Sequence, residues 1–174
     1  MEIIKTVENL FSIVALTPLR KTQGVTFDLI PKDIFKKASS IDRVIHHASA
    51  ISPGAEGNVT CPWYIHPDQT DNLVVLYGTR HVDLYTAAHG KIETFIVTPS
   101  SILQNGKCVT KEPAMLVWPQ NVFHRVRSDK EGSSSVNFAV HCKGFDIKTN
   151  FNIYDVNTET GEFKTIREGH LDQN

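Results

Sequence analysis

The chain has 174 residues, 40% of them hydrophobic and 21% charged, with a formal net charge of -1. That length suits one domain with a core of its own, and the near-neutral balance excludes the basic footprint of a nucleic-acid binder. No run approaches the ~20 apolar residues of a membrane-spanning helix, so the expected partner is a small molecule, with no nucleic acid and no membrane.

The first residues, Met1-Glu-Ile-Ile-Lys-Thr-Val-Glu8, carry acid inside their apolar stretch and do not read as a secretory signal. Residues 1–42 alternate poorly and hold no cluster of reactive side chains. They are expected to form an arm packing on the barrel or on a partner subunit, which predicts a homodimer. Within them, Pro31-Lys-Asp-Ile-Phe-Lys-Lys-Ala-Ser-Ser40 has a proline near its start and lysines later and predicts a short helix, expected to cap one end of the barrel.

From residue 43 to 142, turn residues punctuate short β-rich runs, the pattern of an all-β sandwich or barrel. Strands are predicted at Arg43–Ile51, Val59–His66, Asn72–Tyr77, Arg80–Tyr85, Ile92–Val97, Ala114–Trp118, Val122–Arg127 and Ser134–His141. Residues 143–174 are expected to add strands at Phe151–Val156 and Phe163–Arg167, joined by a turn at Asn157–Gly161, and then a frayed polar tail.

The segment Tyr64-Ile-His66-Pro-Asp-Gln-Thr-Asp71 carries the chemistry. Side chains alternate along a strand, which places Tyr64 and His66 on one face. Asp71, Leu73, Val75 and Tyr77 are expected to share a face of the next strand, with Gly78 making the turn. Were both faces inward, a carboxylate and an imidazole would meet at one mouth of the barrel. Trp63 and Trp118 are out of phase with these residues and are expected outside the cavity, and Arg125 and Arg127 at the surface. His46, His47, His81, His89 and His141 have no partner pattern and are expected to be solvated or satisfied in the core. Cys61, Cys108 and Cys142 form no CxxC pair. Their odd number without a secretion signal points to reduced thiols and a cytoplasmic address. Each is expected to be a small buried residue, Cys61 becoming a ligand if it points inward.

The spacing resembles the cupin family. Its first motif, G(X)5HXH(X)4E(X)6G, is matched by His66, by Asp71 in the glutamate position and by Gly78, with Tyr64 in place of the first histidine and Gly57 one residue off register. Its second, G(X)5PXG(X)2H(X)3N, resembles residues 113–128, where Pro119 and His124 match. Asn121 stands at the turn glycine, a residue that tolerates the left-handed conformation, while Pro113 and Ser128 replace the terminal residues. The resemblance implies an all-β cupin double-stranded β-helix, or jelly-roll barrel, with His66, Asp71 and His124 around an interior site.

Fold alone does not choose an activity. Two imidazoles and a carboxylate can hold a divalent ion such as Zn, Fe, Mn or Ni, with open positions for substrate and Tyr64 adding an oxygen or a hydrogen bond. Without metal, the same residues can transfer protons, with His66 as a base oriented by Asp71. In that form the chain is similar to dTDP-4-dehydrorhamnose 3,5-epimerases and related ketoisomerases, through His66, the run Val74–Tyr85 and Pro119–His124. A ligand-binding or sensor cupin without catalysis is the third class.

Overall fold

The computed structural model describes residues 1–173. Thirteen strands form one sheet, whose path runs Ile3–Val7, Phe11–Ala15, Ala114–Trp118, Gln69–Tyr85, Phe123–His141, Trp63–Ile65, Ile153–Val156 and Phe163–Arg167. Ser40–His46 and Ile51–Ser52 pair with Phe123–His141, and Glu93–Thr98, Ser101–Gln104 and Lys107–Thr110 continue outward from Gln69–Tyr85. The chain is all-β with two short α-helices, and the two ends of the path stay unpaired with each other.

Two long strands organise the molecule. Gln69–Tyr85 and Phe123–His141 are antiparallel from Phe123 opposite Tyr85 to His141 opposite Gln69, so each replaces two strands expected from the sequence. Gly78 lies inside one of them and does not end it. Its φ is +70°, and a Cβ there would lie 2.1 Å from the carbonyl oxygen of Gly132. Only glycine permits both the conformation and the close approach of the two backbones.

The pairing register shifts between Val75 and Tyr77, a bulge that sends Tyr77 to the surface. A one-residue shift reverses which side chains face inward. Leu73 and Val75 are therefore followed inside by Arg80, Val82 and Leu84, in place of the expected Tyr77.

The main core lies inside the rolled sheet, where Phe11, Ile13, Leu84, Phe95 and Leu116 are almost fully buried. Phe11 meets Phe95 edge to face at 4.8 Å, and each such side chain contributes about 1.5–3 kcal/mol by leaving water. Phe11 and Ile13 come from the stretch expected to be an outer arm. Ile3–Val7 and Phe11–Ala15 are instead strands of the main sheet, paired through Ala114–Trp118. Their pattern was hard to read because Val14 is buried too, on the outer face with Val74, Met115 and Phe138.

Lys32–Lys37 is helical, inside the predicted Pro31–Ser40, whose last residue instead starts the strand Ser40–His46. It covers that outer face through Ile34, with Ile30 and Ala38 beside it, and so does not cap an end. The part of the N-terminal region that stands apart is the hairpin Thr17–Thr22 and Val25–Leu29, a separate two-stranded sheet. The C-terminal hairpin forms as expected, but the tail is held. Gly169 is buried beneath the backbone of Phe151, and Gln173 donates to the Ile147 carbonyl.

Candidate functional site

The three residues singled out in the sequence come together. His66 follows the short strand Trp63–Ile65, Asp71 opens Gln69–Tyr85, and His124 sits near the start of Phe123–His141. One ligand atom from each lies within 4.8 Å of the others, and all three residues are buried. The imidazole rings are 4.6 Å apart between centroids, and His66 Nε2 is 3.6 Å from Asp71 Oδ2. Asn121 has φ +65°, the left-handed turn expected of it, and its N–H donates to the His66 carbonyl.

Surrounding groups fix the chemistry of the trio. His66 Nδ1 donates to the backbone carbonyl of Asn150, and His124 Nδ1 to that of Val122 at 3.1 Å. A carbonyl only accepts, so both Nδ1 atoms carry hydrogen, and the lone pair of such a ring in its neutral form lies on Nε2. Asp71 Oδ1 accepts from Gln69 at 2.7 Å and from Asn137 at 2.6 Å, while Oδ2 is buried with no hydrogen-bond partner among the described residues. Burial, and then the proximity of His66, lower the His124 pKa to about 4, leaving it neutral at pH 7.

These residues line one end of a cavity of about 190 Å³, together with Tyr64, Trp118 and Phe151. Tyr64 packs 6.3 Å from His66 and 5.9 Å from His124, and burial raises its hydroxyl above the ordinary phenol range, so it remains a donor. Trp118 reverses the expectation that it lies outside. It pairs opposite Asp71 across adjacent strands, faces inward with it, and reaches within 5.2 Å of the His124 ring, its Nε1 unpartnered among the described residues. Phe151, part-exposed, stands edge-on against His66 at 5.1 Å and partly covers the pocket.

The cavity has a second end that the sequence did not reveal. Arg80 and His46 are both buried there. His46 Nδ1 meets Ser128 Oγ at 3.0 Å, Ser128 meets Ser133 at 2.6 Å, and Arg80 Nε donates to Ser133 at 3.0 Å. Burial, reinforced by Arg80, brings the His46 pKa down to about 4. The available signal was the switch of apolar positions from Leu73 and Val75 to Val82 and Leu84, which moves Arg80 to the inner face.

Other expected residues lie elsewhere. Trp63 packs on Tyr85, outside the cavity as expected, with the Arg125 guanidinium 4.1 Å over its ring. Arg125 is not a free surface charge, since it also bonds Asp83 at 2.9 Å. His81 pairs with Asp129, and His89 with Glu93. All three cysteines are exposed, contrary to the buried role expected, and Cys61 is not part of the histidine cluster.

No protein-family model and no curated protein matches the sequence. Solved structures do. The sugar 3,4-ketoisomerase QdtA of Thermoanaerobacterium thermosaccharolyticum, solved with TDP, matches with a TM-score of 0.56 at 10% identity, over 81% of this chain and 85% of its own. A dTDP sugar isomerase of Desulfovibrio desulfuricans matches with a TM-score of 0.56 at 15% identity, over 83% and 84%. NovW, a 4-keto-6-deoxy sugar epimerase of Streptomyces spheroides, matches with a TM-score of 0.59 at 9% identity, over 84% and 70%. The fold is that of the cupins. It is the jelly roll these structures share, as the sequence motifs implied. Among the described residues, no helix is long and apolar enough to cross a membrane.

Proposed function

We propose that this cupin is an isomerase-type enzyme that moves a proton on a carbonyl-bearing sugar, with a sugar nucleotide as substrate. The observation that carries the proposal is the buried pair of His66 and Asp71. His66 is pinned through Nδ1 to a backbone carbonyl, and its Nε2 lies 3.6 Å from a carboxylate oxygen that has no hydrogen-bond partner among the described residues. Nε2 takes a proton from the carbon beside the carbonyl, and Asp71 stabilises the imidazolium that forms. The electrons pass to the carbonyl oxygen, where the Tyr64 hydroxyl donates a hydrogen bond to the developing enediolate. Tyr64 gives its hydroxyl proton to the enediolate oxygen and takes one from the adjacent sugar hydroxyl, while His66 delivers its proton to the former carbonyl carbon, which leaves the carbonyl on the neighbouring carbon.

Because the two imidazoles lie side by side, 4.6 Å apart, they suit a shift on one face of the sugar. An epimerisation needs an acid on the opposite face. The activities named for the structural neighbours, a 3,4-ketoisomerase and a dTDP sugar isomerase, support the same substrate class. Transfer of deuterium from solvent into TDP-4-keto-6-deoxyglucose, followed by NMR, tests the proposal. Exchange lost in His66→Ala supports it.

A second reading rests on a specific observation: a ring nitrogen of His66, a ring nitrogen of His124 and a carboxylate oxygen of Asp71 lie within 4.8 Å of one another, with Asp71 Oδ2 unpartnered among the described residues. Backbone carbonyls orient both imidazoles, as they do for metal-binding histidines. The donor set fits a divalent ion, which would supply Lewis-acid polarisation of the substrate carbonyl. Metal analysis of purified protein separates the two readings.

We further propose a homodimer. Ile45 and Tyr77 flank Ser134 in one row on the outer face of the sheet, both exposed, and the separate hairpin exposes Leu19 and Phe27. Apolar surface of this kind is commonly covered by a second copy. Three exposed free cysteines fit a reducing, cytoplasmic setting.

A further inference from the structure

Arg80 is a cation without an anion. It is only 3% exposed, yet no carboxylate lies within ion-pair distance of it among the described residues. Its partners are neutral: Nε donates to Ser133 Oγ at 3.0 Å and Nη2 to the Val44 carbonyl at 3.2 Å. Nη1 makes no hydrogen bond among the described residues, and the side chain lines the same cavity as His66 and Asp71. Asp42 lines that cavity too, but its carboxylate is taken up by Ser40 at 2.9 Å and Asn137 at 3.2 Å. His46, linked to Arg80 through Ser128 and Ser133, is neutral at pH 7 and brings no compensating charge. Burying an unpaired guanidinium is unfavourable, and its retention calls for an anionic partner supplied from outside the chain.

The position of Arg80 narrows that partner. His124 and Val126 line the cavity along Phe123–His141, and Ser128, the next alternate residue and buried, adjoins the Ser133 that holds Arg80. Four residues of strand separate the two ends, about 13 Å between backbones before the side chains reach inward. The volume of about 190 Å³ suits a hexose-sized unit. An anion carried on the same sugar unit that meets His66 fits this spacing.

We propose that Arg80 binds a carboxylate on the reacting sugar, so that the substrate is a sugar acid of the uronate type. Ser133 fixes the guanidinium, Nη1 and the cavity-facing edge receive the carboxylate, and His66 works at the far end of the same ring. The inference rests on the sugar reading of this cavity but not on the chemistry assigned to His66. A neutral sugar still enters, with weaker binding.

Calorimetry with two ligands that differ only at that group tests the inference. TDP-glucuronate is expected to bind at least ~10-fold more tightly than TDP-glucose, and in Arg80→Met the difference should fall within about threefold. Arg80→Lys keeps the charge but loses the fork and the Ser133 bond, and should retain part of the preference. Circular dichroism of both variants shows whether the fold survives. Equal binding of the two ligands by the wild type overturns the inference. So does a loss of affinity for TDP alone in Arg80→Met as large as that for TDP-glucuronate, which would place the diphosphate on Arg80. Should neither sugar nucleotide bind, the nucleotide part of the functional reading fails, and free D-glucuronate titrated against the Arg80 Nε–H NMR signal decides the inference. A shift absent with D-glucose supports it, and no shift overturns it.

Discussion

His46→Asn should remove about half of the stability that this protein loses between pH 7 and pH 5. The His46 pKa falls from 6.5 to about 4 on folding, through burial and then Arg80, and that of His124 falls to about 4 as well. A group whose folded pKa is depressed stabilises the fold above its unfolded pKa and loses that contribution as pH falls toward the folded value. The window is therefore about pH 6.5 to 4, with the unfolded chain binding the extra protons. From pH 7 to pH 5 the linkage relation gives about 2 kcal/mol for each histidine, or about 4 kcal/mol for the pair. Asparagine keeps a hydrogen-bonding atom near the position of Nδ1, so the contact with Ser128 can persist. Measurements stop at pH 5 because Glu93 adds a loss of its own below pH 4.5. Burial alone would raise its pKa, but bonds from His89, Gln104, Lys91 and Asn105 hold it at about 2. Urea unfolding at pH 7, 6 and 5 checks the prediction. An equal loss of stability in wild type and His46→Asn across this range would refute it.

Asn137→Ala should cost about 3–5 kcal/mol, because it leaves the backbone N–H of Asn72 and the carboxylates of Asp71 and Asp42 without their shared partner. The effect should appear in the urea midpoint and as a fall in turnover exceeding any change in KM. Gly78→Ala should abolish soluble expression or lower the melting temperature by more than about 10 °C, since its Cβ would lie 2.1 Å from the Gly132 carbonyl oxygen. Tyr77→Lys should shift the sedimentation coefficient from dimer to monomer at micromolar concentration while leaving the circular dichroism spectrum unchanged.

Much of the site was legible because its residues sit in short, rigid pieces of sequence. His66 and Asp71 are five apart across a turn, and Pro119-Gln-Asn121 sets His124 by a left-handed residue that the motif itself demands. What could not be read was set by long-range pairing. Gly78 resembles a turn glycine until the partner backbone at Gly132 is in place, and only then does the strand run on from Gln69 to Tyr85. The bulge beside Tyr77 depends on that same pairing, so simple alternation sent Tyr77 inward and hid Arg80. Asn150 was invisible for another reason, because it supports His66 through its backbone carbonyl, and any residue type carries one. Asn105-Gly106, by contrast, is a two-residue hairpin turn legible from composition. It joins Ser101–Gln104 to Lys107–Thr110, strands absent from the predicted set.

Solvent-exchange NMR on metal-analysed protein tests the central claim most directly. TDP-4-keto-6-deoxyglucose is incubated in D2O with wild type, His66→Ala and Asp71→Asn, with and without a chelator. The account predicts deuterium incorporation beside the carbonyl by the wild type, unaffected by the chelator. It also predicts at least ~100-fold slower exchange in His66→Ala and an intermediate rate in Asp71→Asn. Exchange at the wild-type rate in His66→Ala, or exchange abolished by the chelator and restored by a divalent ion, would contradict it.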